Sequence, residues 1–270
     1  MSKLFKQQQQ EPQPEYNPRR YVHHSREESF ERVQEILPPL PFDIEKPDWQ
    51  YIFAPLTNHV DINTRDYFGA TALYTPSKLN LSGVVMELMY NPLINPNIPN
   101  VYGGTAFFAA CETGSKEVVK FLMNDDRVDV TLAPLGTTVF HKACQMGRAE
   151  VVKLLLADAR FNVTELVEGK DALYVASTAG HAEVVKLLLA DERFDPLANT
   201  QTNHPFADAC QFGTLEVVNA FLECPRFKNN PPANLFCNIK YKEKKGELNE
   251  IKVQVALFLM NKAEIFERDQ

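Results

Sequence analysis

The stretch Thr137–Leu156, TTVFHKACQMGRAEVVKLLL, contains two short segments with apolar faces on either side of Gly147. Glycines recur at the same place every 33 residues, at Gly114, Gly180 and Gly213. A fixed spacing of this size is the mark of a repeat protein, in which similar units stack on one another.

The segment that follows each glycine recurs as well. It reads Glu-Val-Val-Lys at 117–120, 150–153 and 183–186, and Glu-Val-Val-Asn at 216–219. In the longer pattern Glu-Val-Val-Lys-x-Leu-Leu the apolar residues fall on one helical face. The sequence therefore predicts an all-α solenoid of stacked helix-turn-helix units, each of which contacts only its neighbours.

The composition is that of a folded protein, with 44% hydrophobic residues. It holds 28 basic and 35 acidic residues, and the formal net charge of -7 argues against binding to nucleic acid or to an anionic membrane surface. No apolar run approaches the ~20 residues of a membrane helix, and the first residues lack the apolar core of a signal peptide. We therefore expect a cytoplasmic protein that is not secreted by the signal-peptide route.

The chain divides into a tail, a repeat array and a cap at each end of the array. The tail holds a glutamine run and several prolines, so it has little to bury and is predicted to be disordered. The caps are predicted to shield the apolar flanks of the stack. The predicted boundaries are 1–27 for the tail, 28–64 for the amino-terminal cap, 65–230 for the repeats (units starting near 65, 99, 132, 165 and 198) and 231–270 for the divergent carboxy-terminal cap.

The first full unit begins RDYFGATALY, residues 65–74. Its Asp-x-x-Gly-x-Thr-x-Leu pattern, followed in the later units by the glycine hinge and the Glu-Val-Val-Lys-x-Leu-Leu helix, resembles the ankyrin repeat. The signature of that family is a turn plus two helices, with TPLHxA in the first helix. The resemblance covers the chain from about Ser29 onwards and implies about five full units.

The chain departs from the family pattern in two places. Pro205 alone keeps the family proline and His141 alone keeps the family histidine; aromatic residues replace that histidine at Tyr74, Phe108 and Tyr174. The second helices end in DDRVDV, DARFNV, DERFDP and CPRFKN, where the family usually has Gly-Ala-Asp-Val-Asn. We expect packing of the aromatic rings to substitute for the lost histidine hydrogen bond.

No catalytic motif occurs in the sequence, neither HExxH, GxSxG, GxGxxG nor a phosphate-binding GxxxxGK[ST]. His141 and Cys144 are three residues apart, but both occupy structural positions of the repeat, so packing is the favoured interpretation. The pair His23 and His24 lies in the predicted tail and is not interpreted as a metal site. The lysine-rich stretch 240–245 is interpreted as a solvated loop rather than a nuclear-import or phosphate-binding patch. We predict no catalytic residues, no metal site and no cofactor.

Three of the five cysteines occupy one repeat position, six residues after Thr105, Thr138 and His204: Cys111, Cys144 and Cys210. Stacked helices lie roughly 8–10 Å apart, which is too far for a disulfide between equivalent positions. The prediction is therefore that these cysteines are small buried core residues with free thiols.

The resemblance also implies a binding surface on the concave side, formed by the turn tips and by the ends of the first helices. These positions are unusually apolar for loop tips, and exposed apolar clusters rimmed by polar groups mark protein contact sites. The alternative for each ring is that it packs between neighbouring tips. The predicted partner-binding residues are Tyr67, Phe68, Lys78, Leu79, Val101, Tyr102, Glu112, Pro134, Leu135, Gln145, Met146, Val167, Glu168, Gln211 and Phe212.

The expected function is that of a non-enzymatic protein-protein interaction module, an adaptor or scaffold, which acts as a monomer on one or more partner proteins. It is not expected to bind nucleic acid or a membrane. One alternative is an effector or inhibitor from a parasite, symbiont or virus that binds a host protein in the host cytoplasm through the same surface. The other is an enzyme with its site in the divergent ends, where the sequence offers no polar cluster that supports it.

Overall fold

The computed structural model describes residues 61–197, 205–212, 214–229 and 255. The predictions for the tail, for the amino-terminal cap before residue 61 and for almost all of the carboxy-terminal cap lie outside these residues. The described helices are α1 (Tyr74–Lys78), α2 (Ser82–Met89), α3 (Ala106–Thr113), α4 (Lys116–Met123), α5 (Val139–Gln145), α6 (Ala149–Leu156), α7 (Ala172–Thr178), α8 (Ala182–Ala190), α9 (Pro205–Phe212), α10 (Leu215–Glu223) and α11 (Pro225–Asn229).

The helices form two layers. The first helices of successive units, α1, α3, α5, α7 and α9, contact one another in chain order, and so do the second helices α2, α4, α6, α8 and α10. Within the described ranges the only β-type pairing is in isolated bridges, Arg65 with Thr71 and Val167 with Lys170. The predicted all-α solenoid of helix-turn-helix units is confirmed.

A polar side chain caps the start of each central first helix. Thr105, Thr138 and Asp171 have extended backbone, and each side-chain oxygen accepts a hydrogen bond from the backbone N–H three residues on. The donor-acceptor distances are 3.2, 3.1 and 2.6 Å respectively. Because the first turn of a helix leaves N–H groups without partners, these caps fix where each unit's first helix begins.

The hinge between the two helices of a unit requires a left-handed backbone. Gly114, Gly147 and Gly180 have φ of 85°, 69° and 82°, while Gly213 lies outside the described residues. In the first unit the same place is taken by Asn80 with φ of 57°, the kind of residue that tolerates this conformation best after glycine. At Gly147 space matters too, since a Cβ there would lie 2.5 Å from Nδ1 of His181 in the next unit.

The core runs between the two layers through all the described units. The paired valines of the second helices, such as Val118 and Val119, are fully buried. Phe107 stacks on Phe161 of the following unit with ring centroids 6.3 Å apart. Cys111, Cys144 and Cys210 are buried with free thiols, as predicted. Each unit therefore buries its apolar face only when its neighbours are in place.

The unusual endings of the second helices form a repeated contact between units. Where the second helix of a unit ends, an aspartate pairs with the arginine two residues later. The arginine also donates to a carbonyl at the end of the preceding unit's second helix. This occurs in three successive units, within residues 123–127, 156–160 and 189–193. In the middle unit Arg160 lies 2.6 Å from Asp158 and donates over 2.8 Å to the Met123 carbonyl. Its counterparts are Asp125 with Arg127 on Met89, and Asp191 with Arg193 on Leu156. We call this arrangement the Asp-x-Arg clasp.

The last unit has the arginine of the clasp without its aspartate. Arg226 follows Cys224 and instead donates to the carbonyls of Phe194, Leu189 and Asp191. The arginine thus returns every 33 residues from Arg127 onwards, and each copy satisfies carbonyls at a helix C-terminus that have no intrahelical partner. This is the structural role of the motif that replaces the family's Gly-Ala-Asp-Val-Asn.

Candidate protein-binding surface

The turn tips of the first three units form a continuous apolar ridge. We call it the tip ridge, and its residues are Tyr67, Phe68, Val101, Tyr102, Pro134 and Leu135. Tyr67 is 91% exposed, Tyr102 73% and Leu135 fully exposed. Within the ridge Tyr67 and Phe68 contact each other edge to face with ring centroids 5.4 Å apart.

Glycines and backbone contacts bring the tips together. The Val101 N–H donates to the Phe68 carbonyl over 2.9 Å, and this bond joins the first two tips. A Cβ at Gly103 would lie 3.2 Å from Cα of Pro134, so the second and third tips touch where only glycine fits. The ridge is therefore a preformed surface whose side chains point outward from a tightly packed backbone.

A groove runs beside the ridge, between the tips and the first helices α1, α3, α5 and α7. Its volume is about 450 Å³. Apolar and aromatic side chains alternate in it with charged ones, and glycines allow the tips to approach. The lining residues are Tyr74, Asn100, Tyr102, Gly104, Phe108, Glu112, Pro134, Gly136, Thr137, His141, Lys142, Gln145, Val167, Glu168, Lys170 and Val175.

Two charges of the groove neutralise each other. Nζ of Lys142 lies 3.2 Å from Oε1 of Glu112 in the preceding unit, and each side chain is about one quarter exposed. Burial raises the pKa of Tyr74, and the Glu112 carboxylate raises it further because it disfavours a second negative charge nearby. The centre of the groove therefore carries no net charge.

His141 and Cys144 do not form a catalytic pair. The Nδ1 atom of His141 bonds to Oγ1 of Thr138 at 2.9 Å, and Nε2 lies 3.2 Å from the Lys170 carbonyl. Burial lowers the pKa of His141 and raises the pKa of the Cys144 thiol well above its usual range. Both ring nitrogens of His141 are engaged by Thr138 and Lys170, and the Cys144 thiol is fully buried, so these residues join the tip to the first helix and fill the core.

The structure gathers several of the predicted binding residues in the groove and leaves others beside it. Tyr102, Glu112, Pro134, Gln145, Val167 and Glu168 line the groove. Tyr67, Phe68, Val101 and Leu135 complete the ridge, and Lys78, Leu79 and Met146 are exposed near the ends of the first helices. Gln211 and Phe212 lie at the end of α9, and their side chains are outside the description.

Reasoning from sequence missed some residues of the groove. Tyr74 and Phe108 take the place of the family histidine and line it, so the substitution itself was a signal that could have identified them. Lys142 and Lys170 carry no repeat signal. Nζ of Lys170 lies 6.0 Å from the ring centre of Tyr174, a contact that depends on the turn at Glu168 and Gly169, both with positive φ.

The described part of the chain contains no group of three or more His, Cys, Asp or Glu side chains arranged to hold a metal ion. Among its helices, none combines the length and the apolar character needed to cross a membrane.

Comparison with protein families identifies the repeat. The family described as ankyrin repeats (3 copies) matches residues 77–165 and 140–231, which together cover more than half of the 270-residue chain. The chain belongs to the ankyrin-repeat family. Ankyrin repeats are in general protein-protein interaction modules and are typically not enzymes.

A solved structure shows the same fold. The crystal structure of the human ASB11 ankyrin repeat domain matches with a TM-score of 0.56 and 22% sequence identity, covering 73% of this ankyrin-repeat chain and 87% of the human domain. A search of curated protein sequences found no match. The structural likeness at this identity concerns the architecture of the stack.

Proposed function

We propose that this ankyrin-repeat chain is a non-enzymatic adaptor or scaffold that binds a partner protein through the tip ridge and the adjoining groove. The observation that carries the proposal is the exposure of the ridge, where Tyr67, Tyr102 and Leu135 are each more than two-thirds exposed. Contiguous apolar surface of this kind is unusual on a monomer outside contact sites. A partner that covers it gains the free energy of desolvating rings and a leucine.

The rigidity of the surface also supports binding. The tips are tied by the bond from the Val101 N–H to the Phe68 carbonyl and by the contact of Gly103 with Pro134. A surface that is already ordered loses little conformational entropy when a partner docks, so more of the contact energy appears as affinity.

Affinity capture of a partner with the full chain, followed by measurement of the dissociation constant for variants, tests the proposal. We predict that Leu135→Ser weakens binding by about thirtyfold, or about 2 kcal/mol, because large apolar anchors dominate interface energy. The matched control is Leu93→Ser, since Leu93 is 76% exposed but lies in the loop after α2.

Equal effects of the two leucine substitutions would show that the captured protein does not use the ridge. A lower unfolding midpoint for Leu135→Ser would show instead that this side chain packs between tips.

Location and assembly complete the proposal: the chain acts as a monomer in the cytoplasm, of its own cell or, if it is an effector, of a host cell. Light scattering on the purified full chain measures the assembly state, and a mass of two chains would contradict the proposed monomer. Imaging of the tagged protein tests the proposed location in the cytoplasm.

A further inference from the structure

The turns that carry the tip ridge contain a single cation. Within residues 65–70, 99–104 and 132–137 the charged residues are Arg65 and Asp66. Asp66 is partly buried, and its carboxylate accepts a hydrogen bond from the Ala70 N–H over 2.7 Å, inside its own turn. Arg65 is exposed. A partner that covers the tip ridge therefore comes next to one positive charge.

Two backbone carbonyls hold the guanidinium of Arg65 between the first and second tips. Nε donates to the Gly69 carbonyl over 3.0 Å, and Nη2 donates to the Pro99 carbonyl over 2.6 Å. A Cβ placed on Gly69 would lie 2.9 Å from Nη2 of Arg65 and 3.1 Å from Cγ1 of Val101, so the guanidinium lies beside a ridge residue. These bonds use the edge formed by Nε and Nη2. Among the described residues, the edge formed by Nη1 and Nη2 has no acceptor.

Arg65 differs from the other exposed arginines of the described ranges. Arg160 and Arg193 each pair with the aspartate two residues earlier, at 2.6 and 2.7 Å. Arg65 has no carboxylate partner in the part of the chain that the structure describes. Its position does not repeat either, since the later units have Pro99, Leu132, Glu165 and Ala198 there. Its two carbonyl bonds join the first tip to the second but leave its charge uncompensated.

Charge complementarity selects the chemistry that a partner places here. A guanidinium covered by another protein loses water, and this loss is offset where an anion takes the place of the water. The edge formed by Nη1 and Nη2 has two parallel N–H groups, which match the two oxygens of a carboxylate. A phosphate group is typical of sites where several arginines cluster, and these three tips have one. Apolar surface adjoins the cation at Phe68 and Val101, so apolar groups are expected beside the carboxylate.

We propose that the tip ridge binds a partner segment in which an Asp or Glu side chain is flanked by large apolar residues. The carboxylate binds the free edge of the Arg65 guanidinium, and the apolar residues lie on Phe68, Val101 and Tyr102. This inference rests on the function proposed above. Arg65 is then the residue that determines specificity, because the tip ridge itself is uncharged.

Selection from a library of random 12-residue peptides on the full chain tests the proposal. Peptides that bind wild type but lose affinity for Leu135→Ser are ridge peptides, and we expect each to contain an acidic residue between apolar ones. In fluorescence anisotropy, replacing that acid with its amide should weaken binding to wild type about tenfold, but less than twofold to Arg65→Gln. Lys153→Gln, which removes the same charge from the exposed face of α6, is the control and should bind as wild type does.

The exchange of acid for amide is made in the peptide, so a change in the stability of the protein cannot produce its effect on wild type. If Arg65→Gln fails to fold, Arg65→Lys takes its place, since lysine keeps the charge but has no planar pair of donors. The exchange should then cost less in Arg65→Lys than in wild type.

Three outcomes would overturn the inference. Ridge peptides without an acid would do so, and so would equal losses on the exchange in wild type and in the Arg65 variant. Tenfold tighter binding when phosphoserine replaces the acid would show that the site takes a phosphate instead. Peptides that depend on Leu135 but on no acid leave the proposed function intact, whereas a selection in which no peptide depends on Leu135 contradicts both proposals.

Discussion

The Asp-x-Arg clasp and the tip ridge both lie between the same neighbouring units, yet their residues follow opposite rules. In the clasp the same two side chains return in successive units, as in Asp158 with Arg160 and Asp191 with Arg193. In the ridge each unit offers a different pair, Tyr-Phe, then Val-Tyr, then Pro-Leu. Residues that join one unit to the next are the same in successive units. Residues that take no part in stacking can differ between units and can contact another protein.

The clasp and the tip ridge also differ in whether their contacts are made within the folded chain. The clasp arginines satisfy backbone carbonyls that stacking would otherwise leave without partners, so their contacts belong to the folded chain itself. The ridge leaves apolar surface in water and forgoes the stabilisation that burying it would give. If this division is correct, substitutions at repeating positions change stability, and substitutions of the exposed side chains of the tip ridge change it little.

The largest effect is expected at the hinge glycine that touches the next unit. Gly147→Val introduces a β-branched side chain at φ of 69° and forces its Cβ to 2.5 Å from the His181 ring. We expect a loss of about 3 kcal/mol in the free energy of unfolding, measured by urea denaturation.

Gly169, at a turn tip, is the matched control for this substitution. Its φ is 73°, but nothing lies within 4 Å of a Cβ placed there. Gly169→Val should therefore cost only the backbone strain, about 1–2 kcal/mol. Equal losses for the two variants would mean that backbone strain accounts for the whole effect and that contact between units adds nothing.

Removal of one clasp is expected to have the next largest effect. Arg160→Met keeps the aliphatic part of the side chain but loses the bonds to Asp158 and to the Met123 carbonyl. We expect about 1–2 kcal/mol less stability in urea denaturation, which is below the usual range of about 1.5–3 kcal/mol for hydrogen bonds to a charged group because the Arg160 side chain is 44% exposed and screened by water. Lys153→Met, on the exposed face of α6, is the control and should stay within about 0.5 kcal/mol of wild type. Similar values for both would show that the clasp is only a surface ion pair.

Acid should weaken the clasps. The guanidinium groups of Arg127, Arg160 and Arg193 hold the pKa values of Asp125, Asp158 and Asp191 below their usual range. The folded chain therefore binds fewer protons than the unfolded chain near the ordinary aspartate pKa of about 3.9, and stability falls as pH drops from about 5 through the native values. In Arg160→Met the pKa of Asp158 moves back towards normal.

Urea denaturation of wild type and Arg160→Met at several pH values between 7 and 3 measures this linkage. The stability difference between the two proteins should shrink as pH falls. Burial shifts the pKa values of His141 and Asp171 as well, but both proteins share these groups, so their contributions cancel. A difference that stays constant with pH would mean that Asp158 is not coupled to Arg160.

The sequence predicted the stack and its hinge because both depend on local chemistry that repeats. Glycine is needed at Gly114, Gly147 and Gly180 for a left-handed backbone, and the valine pairs mark the buried face of each second helix. The partner-binding residues remain a prediction. Their exposure could only be guessed from position, because whether Leu135 stands free or packs on a neighbouring tip depends on how closely the tips approach.

The clasp was visible in the sequence but its role was not. The arginine recurs at Arg127, Arg160, Arg193 and Arg226, but the sequence shows this motif only as a departure from the family pattern. Its carbonyl partners lie more than 30 residues earlier in the chain, so the contact exists only after stacking. The pair of Glu112 with Lys142 in the groove was missed for the same reason, since its partners come from different units.

The smallest effect is expected at a repeating core position occupied by cysteine in some units and by serine in others. Ser77 and Ser177 stand where Cys111, Cys144 and Cys210 stand, and within the described residues both hydroxyl oxygens are buried without a hydrogen-bond partner. A buried hydroxyl without a partner destabilises the fold, whereas a thiol loses little on burial. We therefore expect Ser177→Cys to raise the free energy of unfolding by up to about 1 kcal/mol, and Cys144→Ser to lower it by about the same amount. Urea denaturation of both variants measures the two changes. If Cys144→Ser and Ser177→Cys are both destabilising, the fourth unit packs too tightly for a sulfur atom. The position would then be equally buried in each unit, but the space for its side chain would differ between units.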